Sequence, residues 1–493
     1  MAYKHGVNVS EVPTSVIPPV TVDTAIPFIV GTAPINMTDV EDVNKPHLFY
    51  TYAEAVKAMG FVPAKAHEGE KLKRYDFSIC EAIYSQFALY GVAPVVVVNV
   101  LDPKKHKKSA TTVNVTLDAK TGTARVEEVG LILTSVTISQ EQTTYIQGQD
   151  YELAFADNGD LLIAAKTDGR NTFKVPVGTS LTFKAEKLDP TAVTKEDVIG
   201  GIGVEGKKNG LELIGEIYPR FRVVVGSVVC PDFSHEPDVA SVMAAKASSI
   251  NDLFKAMALV DVPTKSVKSY TDVAEWKNEN NVTDPCQIVC WPLVNLGGTI
   301  YHMSTQLAGL LGKTDNANGG TPYKSPSNQN VQASGAVLAD GTEVYLGNSE
   351  ASYLNSQGVV TALNWSGGWK LWGNRTACYP AVTDVKDSFI PVRRMFGFIG
   401  NTFVTTYWQK VDSPINRRTI DTIVDSANIW LNGMVARGYL LSGKVEFLSS
   451  ENPTTSLLDG ILTFHVFITP PPPARDVEFV LEYDVDGLNN LFS

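Results

Sequence analysis

Hydrophobic and polar positions along the chain follow two periods, and the period changes from region to region. The buried-strand pattern IPFIVGTAP is followed by two helix-like runs, TYAEAVKAMG and DFSICEAIYSQFALYG, and then by the apolar strand pattern APVVVVNVL. The same texture returns in FRVVVGSVVCP, in a helical stretch near PDVASVMAAKASSINDLFKAMALVD and in CQIVCWPLV. Strands that alternate with helices predict an α/β layer whose strands pair partly in parallel.

A different texture separates these two stretches. Between residues 104 and 201 the chain has short alternating runs such as TTVNVTLDA, DYELAFA and LTFKAEKL, separated by turn signals such as DNGD and TDGR. Closely spaced alternating runs predict an inserted β-sandwich or barrel. The α/β domain is therefore expected in two parts, 26–103 and 202–375, and a further domain follows at 376–469.

The most regular helical pattern lies near the C-terminus. Ser413 suits the N-cap, Pro414 suits the first turn, and Gly438 is a C-terminal stop. Between them, apolar residues recur at helical spacing, at Ile420, Ile423, Val424, Ala427, Trp430, Leu431, Met434 and Val435. We therefore predict one amphipathic helix from Ser413 to Arg437, about 35 Å long at a rise of about 1.5 Å per residue. Two strand patterns, GKVEFLS and GILTFHVFI, follow it.

Both ends of the chain are predicted to be extended arms. Residues 1–25 combine the short alternating run GVNVSEV with several prolines. Residues 470–493 begin with four prolines and continue with VEFVLEYDV, whose alternate apolar residues are Val477, Phe479, Leu481, Tyr483 and Val485. Such alternation needs a sheet edge, but four prolines form a stiff spacer of about 12 Å. This strand is therefore expected not to pair with its own sheet.

Composition and charge narrow the class of protein. The 493 residues suffice for about two to four domains, and 44% hydrophobic with 19% charged residues are typical of globular proteins. The formal net charge of −12 argues against a dedicated binder of nucleic acid or anionic membranes. We interpret the one basic run, KKHKK at 104–108, as a solvated loop.

The compartment follows from cysteine usage and from the apolar runs. Five cysteines, an odd number, do not resemble a secreted disulfide framework and favour a reducing compartment. The N-terminus lacks the apolar core of a signal peptide, and the longest apolar run is too short to span a membrane. We therefore expect a soluble protein.

No stretch carries a strong signature of catalysis or of cofactor binding. GIGVEG at 201–206 matches a dinucleotide motif by letter only, because no clear strand precedes it and no convincing helix opens in it. Cys286 and Cys290 have no second pair and no nearby histidine to complete a zinc site. None of the seven histidines lies in a hydrolase signature. We therefore predict no catalytic residue, no metal and no cofactor.

Two groups of side chains remain open to more than one interpretation. Trp365, Trp369 and Trp372 form either a sugar-binding platform or a packed hairpin. Arg375, Arg393 and Arg394 either anchor carboxylates across an interface between subunits or pair with carboxylates of the same chain.

Five separate stretches, taken in order, resemble the contractile tail sheath proteins of bacteriophages and related contractile injection systems. They are HGVNVSEVP, AIPFIVGTAP, TPYKSPSNQNVQASG, SGGWKLWGNRT, and FIPVRRMFGFIGNT together with the long helix and the final strand pair. The resemblance extends from end to end except over the β insert. It implies an α+β multidomain fold with a C-terminal α+β assembly domain that includes both terminal portions. It also implies an interrupted α/β domain of subtilisin-like fold without protease activity, and an inserted all-β domain.

The function that the resemblance implies is structural. Sheath subunits polymerise as hexameric rings, stacked helically around a tail tube, and contract to drive the tube through the envelope of the target cell. The implied partners are other copies of the chain, the tail tube protein, and the baseplate and tail terminator proteins, with no nucleic acid and no membrane insertion. The implied location is a virion tail or injection particle that is assembled in the cytoplasm of the bacterial host.

The resemblance also gives roles to particular residues. The arms add strands to sheets of neighbouring subunits, through Val7 and Val9 at the N-terminus and through 477–485 at the C-terminus. Arg417 and Arg418 on the long helix would face the tube. The alternatives are a subtilisin-like hydrolase and a sugar-binding adhesin that uses the tryptophan cluster.

Overall fold

A computed structural model describes residues 17–38, 42–168, 170 and 172–491. The first α/β stretch contains β1 (Pro27–Gly31), β2 (Pro46–Phe49), α1 (Tyr52–Met59), β3 (Lys65–Ala66), β4 (Lys73–Arg74), α2 (Ser78–Ile83) and β5 (Val95–Asn99). Helix α1 begins at Thr51, whose hydroxyl accepts the Glu54 N–H at 3.2 Å. Helix α2 continues as a π-helical segment, Tyr84–Tyr90.

The next stretch of the chain consists mainly of antiparallel strands. These are β6 (Lys107–Thr116), β7 (Thr123–Val126), β8 (Thr137–Gln140), β9 (Thr143–Tyr145), β10 (Tyr151–Phe155), β11 (Leu161–Ala165) and β12 (Ser180–Leu188). They form two sheets, with orders β6-β12-β8-β9 and β10-β11-β7. One hydrophobic cluster contains residues of both sheets, among them Phe183 and Leu161.

The basic run at 104–108 differs from the predicted solvated loop. Its last two residues, Lys107 and Lys108, begin β6 instead of lying in a loop. The Lys107 ammonium lies 2.7 Å from Glu186, and that of Lys108 lies 3.1 Å from Asp189. Glu186 and Asp189 lie where the chain leaves the β-rich stretch, and the basic run lies where the chain enters it. These ion pairs therefore connect the entering segment with the leaving segment.

Helices and strands alternate again in the second α/β stretch. It contains α3 (Lys195–Ile199), β13 (Gly201–Ile202), β14 (Lys208–Asn209), α4 (Ile217–Phe221), β15 (Ser227–Val229), α5 (Pro237–Ser248), β16 (Met257–Asp261), α6 (Val273–Glu279), β17 (Gln287–Cys290), β18 (Leu293–Leu296), β19 (Thr299–Tyr301), α7 (Met303–Ala317), β20 (Gly335–Val337), α8 (Asn348–Ser356), β21 (Val359–Trp365) and β22 (Gly368–Trp372). Strands β18 to β20 join β3 and β4 in a five-stranded sheet.

The central sheet draws strands from both α/β stretches. Its order is β2-β5-β1-β15-β16-β17-β21-β22, and only its two outermost strands run antiparallel to their neighbours. Phe28 of β1 faces one hydrophobic cluster and the adjacent Ile29 faces another, because successive strand residues point to opposite faces. The sheet is thus covered on both faces, as parallel sheets require. The chain is a mixed α/β, multi-sheet protein.

The C-terminal stretch contains α9 (Val385–Ser388), α10 (Ile390–Tyr407), α11 (Arg417–Ala436), β23 (Ser442–Glu446), α12 (Thr454–Leu458) and β24 (His465–Thr469). The predicted helix start at Ser413 was wrong. Helix α11 begins at Arg417, because Asn416 supplies the cap by accepting the Thr419 N–H at 2.9 Å. Gly438, with φ of 74°, follows the helix end as predicted.

Candidate assembly surface

The C-terminal layer is built from α10, α11 and the sheet of β23 and β24. Trp430 of α11 contacts Phe403 of α10, with ring centroids 5.6 Å apart. Val445 of β23 is buried in the same cluster. Gly443 allows β23 to approach α11, because a side chain at this position would meet Leu431 at 3.2 Å. The sheet therefore lies directly against the long helix.

The N-terminal segment of the described chain crosses the same layer. The Ile17 N–H donates to the Ser426 hydroxyl of α11 at 2.9 Å, and the Val20 N–H donates to the Thr406 hydroxyl of α10 at 2.9 Å. The first described residues therefore meet the layer that contains the last described strand, β24. Outside the described residues lie the two predicted N-terminal arm residues, Val7 and Val9.

The C-terminal arm leaves the body of the chain after β24. Residues 470–484 contain no helix or strand, and a 3₁₀ helix, Val485–Leu491, ends the described chain. All five predicted arm residues are largely exposed: Val477 by 67%, Phe479 by 84%, Leu481 by 94%, Tyr483 by 73% and Val485 by 65%. A contiguous exposed apolar strip marks an interaction surface. The lone chain leaves this strip uncovered.

The sheet of β23 and β24 is small. Within the described ranges these strands pair only with each other, in an antiparallel register that sets Val445 opposite Val466. A two-stranded sheet is marginally stable in water, and an uncovered edge presents main-chain groups to a further strand. The C-terminal part of the chain therefore contains a strand-like arm sequence without a partner strand among the described residues and a small sheet that can accept a further strand.

The two arginines predicted to face the tube lie in the first turn of α11, and both are exposed. Arg417 is 88% exposed and donates from Nε to Asp421 at 2.9 Å. Arg418 is exposed beside it. Positive charge at a helix N-terminus is unfavourable, because the helix dipole is positive there. Apart from the ion pair of Arg417 with Asp421, the helix therefore disfavours positive charge at this end.

Arg394, predicted as an interface anchor or an intramolecular partner, is buried within the chain. Its guanidinium contacts both carboxylate oxygens of Asp315 on α7, with the Nη1 to Oδ1 distance at 3.0 Å. The same carboxylate accepts the Thr24 hydroxyl at 2.8 Å. These contacts fit intramolecular pairing, and Arg394 would have to break this pair to reach a neighbouring subunit.

Arg375 and Arg393 also have partners in their own chain. The guanidinium of Arg375 lies 3.6 Å from the centre of the Phe389 ring and donates to the Ser388 hydroxyl at 2.7 Å. Arg393 lies 3.4 Å from Asp387. Both arginines are half-buried, so these contacts leave part of each side chain at the surface.

A polar network lies at the carboxyl ends of the parallel strands. Nδ1 of His302 lies 2.9 Å from Glu81, and its Nε2 lies 3.2 Å from Asp232. Burial alone would lower the pKa of His302, but the neighbouring carboxylates raise it well above its ordinary value. The network includes Asp261, which accepts the Ser304 hydroxyl. These residues are far apart in the sequence, so no local motif indicates that they form a network.

The network borders a cavity of about 900 Å³ but does not have the geometry of a serine hydrolase. Such an enzyme needs a serine hydroxyl that donates to the histidine ring. Here both ring nitrogens of His302 face carboxylates, while the hydroxyls of Ser234 and Ser304 donate to Asp261. The arrangement ties loops together through charge pairs.

Other candidate sites have ordinary structural surroundings. GIGVEG forms the two-residue strand β13 and a tight 3₁₀ turn. Trp369 and Trp372 lie on β22 and point to opposite faces of a hairpin, so the three tryptophans do not share one platform. All five cysteines are free and buried. Among the described residues no cluster of potential metal ligands occurs, and none of their helices is both long and apolar enough to cross a membrane.

Comparisons with known proteins show similarity over the whole chain. No protein-family model matches it. The tail sheath protein of Burkholderia phage BcepMu is 28% identical over 500 residues, which covers 99% of this chain and 98% of the phage protein. The tail sheath protein of Escherichia phage P2 is 25% identical and matches 58% of this chain and 70% of its own length.

The fold is similar to that of solved sheath structures. A sheath complex of an extracellular contractile injection system, PVC, in the contracted state has a TM-score of 0.57 at 12% identity, with 99% of each chain covered. The helical sheath of the anti-feeding prophage in the contracted state has a TM-score of 0.55 at 14% identity, with 98% of this chain and all of that chain covered.

These full-length matches define the class, and the predicted recognition is confirmed. The chain is similar over its whole length to contractile tail sheath proteins, and it is a contractile sheath subunit. The matched relatives are sheath proteins and not hydrolases or sugar-binding adhesins, so the comparisons do not support those two alternatives.

Proposed function

We propose that this sheath subunit polymerises as hexameric rings, stacked helically around a tail tube, and that contraction of the stack drives the tube through the envelope of a target cell. The observation that carries this proposal is the joint occurrence of a full-length match to phage sheath proteins and an uncovered apolar arm. The chain acts through assembly, without catalysis and without a cofactor. Its partners are further copies of itself, the tube protein, and baseplate and terminator proteins. A solved chain of similar fold comes from a six-fold symmetrised baseplate structure of the anti-feeding prophage.

The division of labour follows the predicted domains. The assembly domain, 376–469, joins the two arms, 1–25 and 470–493, and holds neighbouring subunits together. The interrupted α/β domain of subtilisin-like fold, 26–103 and 202–375, and the inserted all-β domain, 104–201, form the outer body. The particle is a virion tail or injection particle that assembles in the host cytoplasm.

The C-terminal arm connects subunits by adding a strand to a neighbour's sheet. Strand addition uses main-chain hydrogen bonds for affinity and alternate side chains for register, and the run 477–485 offers both. The four prolines keep this run away from its own sheet. Because the arms are covalent parts of each subunit, rings joined in this way move relative to one another without separating.

The exposed arginines at the start of α11 contact acidic groups on the tube. Two positive charges at the positive end of a helix dipole are stabilised by an external anion. Each exposed pair contributes roughly 0 to 1 kcal/mol. Contacts of this strength hold through their number and still release the tube during contraction.

Removal of residues 470–493 tests the proposal. The truncated protein should remain folded, because the removed segment is largely exposed in the lone chain, and it should fail to form tubes in negative-stain electron micrographs. Full-length protein at the same concentration is the control. Regular sheaths formed by the truncated protein would refute the arm mechanism.

A further inference from the structure

One edge of the small C-terminal sheet is already occupied by a side chain of its own subunit. Asn428, on α11, donates from Nδ2 to the Val445 carbonyl at 3.0 Å. Its Oδ1 accepts the Val445 N–H at 2.7 Å. A carboxamide that pairs with both main-chain groups of one residue takes the place of a neighbouring peptide unit. The edge of β23 is therefore closed at Val445.

This contact fixes which edge of the sheet remains open. In an antiparallel strand the N–H and C=O of one residue point to the same side. Those of Val445 point to Asn428 and hence away from β24. Its partner Val466 is then in a non-hydrogen-bonded pair, so the main-chain groups of Val466 point out of the opposite edge. Ile468, two residues further on, is oriented in the same way.

The outer edge of β24 is free within the part of the chain that the structure describes. No main-chain hydrogen bond from another segment reaches Val466 or Ile468 there. Their side chains pack against the main hydrophobic cluster, whereas Phe467 between them is exposed on the other face. A strand that joins this edge must place apolar residues opposite Val466 and Ile468.

The alternation in the arm meets that requirement in only one side-chain frame, by which we mean the choice of which alternate residues face the core. Residues directly opposite each other on paired strands share a face of the sheet. With the odd-numbered residues 477 to 485 facing the core, Glu478 and Glu482 lie on the exposed face beside Phe467. A slip by one residue would place both carboxylates against the apolar cluster.

We propose that the β24 edge is the acceptor for residues 477–485 of a second copy of this chain, and that Asn428 closes the β23 edge against the same strand. Each sheet then accepts one arm directly, in one side-chain frame. Any further strand must pair with the donated one. This inference rests on the proposed strand exchange and adds the edge, the frame and the residue that enforces them.

Disulfide cross-linking in assembled sheaths tests the edge. The five native cysteines are buried, so introduced cysteines should be the reactive ones. In an antiparallel pairing, Phe467 and the arm residue opposite it would form a non-hydrogen-bonded pair about 4.5 Å apart at Cα, within the range for a disulfide. We would combine F467C in turn with E478C, V480C and E482C. The matched control is K444C, on the exposed face of β23, with the same arm variants.

We expect covalent chains of subunits with F467C and one of the arm variants, and none with K444C, which would lie about 10 Å from the donated strand. Adding N428A to the K444C pairs should produce cross-links there, because it opens the β23 edge. Cross-links at K444C with Asn428 intact, or at neither position, would overturn the edge assignment. An N428A variant without new cross-links would overturn the role of Asn428. If removal of residues 470–493 still abolishes sheath formation, each of these results contradicts only this further inference and not the proposed function.

Discussion

The arm gives the sharpest test, because two of its side chains are both largely exposed in the lone chain and would lie on opposite faces of the donated strand. In the lone chain Leu481 is 94% exposed and Val480 is 83% exposed. In the proposed frame Leu481 is covered by the neighbouring subunit, whereas Val480 stays at the surface. Replacing each by glutamate, L481E and V480E, changes the charge of the arm equally and differs in the face that is affected.

The expected magnitude follows from the exposure of Leu481. Full burial of a leucine side chain contributes about 1.5 to 3 kcal/mol. A glutamate forfeits this contribution and adds the cost of removing a carboxylate from water. A loss of about 2 kcal/mol weakens each contact about 30-fold, because 1.4 kcal/mol corresponds to a factor of ten. For V480E we expect a change of less than about threefold, as is usual for surface positions.

The assay is the lowest protein concentration at which sheaths sediment, measured for the wild type and both variants. L481E should raise this concentration by more than tenfold, and V480E should leave it nearly unchanged. Thermal unfolding of the unassembled subunits should be the same for all three, since neither side chain is buried in the lone chain. Equal effects of L481E and V480E on assembly would refute the reasoning about faces.

Three further predictions concern other residues. Asp315→Asn should lower the free energy of unfolding by about 3 to 5 kcal/mol in chemical denaturation, because it leaves the buried Arg394 without its charge partner. The control Arg417→Ala, at an 88% exposed position, should change the free energy of unfolding by less than about 0.5 kcal/mol. Equal losses of stability in the two variants would contradict this prediction. Charge reversal of both Arg417 and Arg418 to glutamate should reduce co-sedimentation of the sheath protein with tail tubes at low salt. The control is charge reversal of the exposed Arg437 at the other end of α11, which should leave co-sedimentation unchanged. Unchanged tube binding of the double variant would exclude the tube contact. Lys277 should contribute a rise in the free energy of unfolding between about pH 8 and pH 10.5, because burial lowers its pKa to about 8 while the lysine of the unfolded chain keeps its proton up to about 10.5. The difference in free energy of unfolding between the wild type and Lys277→Met should therefore grow with pH over this range, and a constant difference would count against it.

Sequence patterns were informative where the signal is local. The alternation in 477–485, the four prolines before it and the apolar spacing of α11 each lie in one short segment, and their physical meaning does not depend on distant residues. The same holds for Gly438, whose conformation after α11 was expected from its place at the end of the pattern. The start of α11 was missed because Ser413 and Asn416 both suit an N-cap, and the sequence offers no measure of which one wins.

Contacts between distant residues were decided by the tertiary structure alone. The pairing of β1 with both β5 and β15, the burial of Arg394 against Asp315, and the network around His302 join residues that are tens to hundreds of positions apart. Asn428 is the clearest case, because an asparagine on an amphipathic helix gives no sign in the sequence that it will close a sheet edge. The sequence by itself determined that the arm carries a strand-like alternation behind a stiff spacer, since period and proline stiffness are properties of a short segment. Which edge is open depends on how α11 packs against β23, and only the folded chain brings those atoms together.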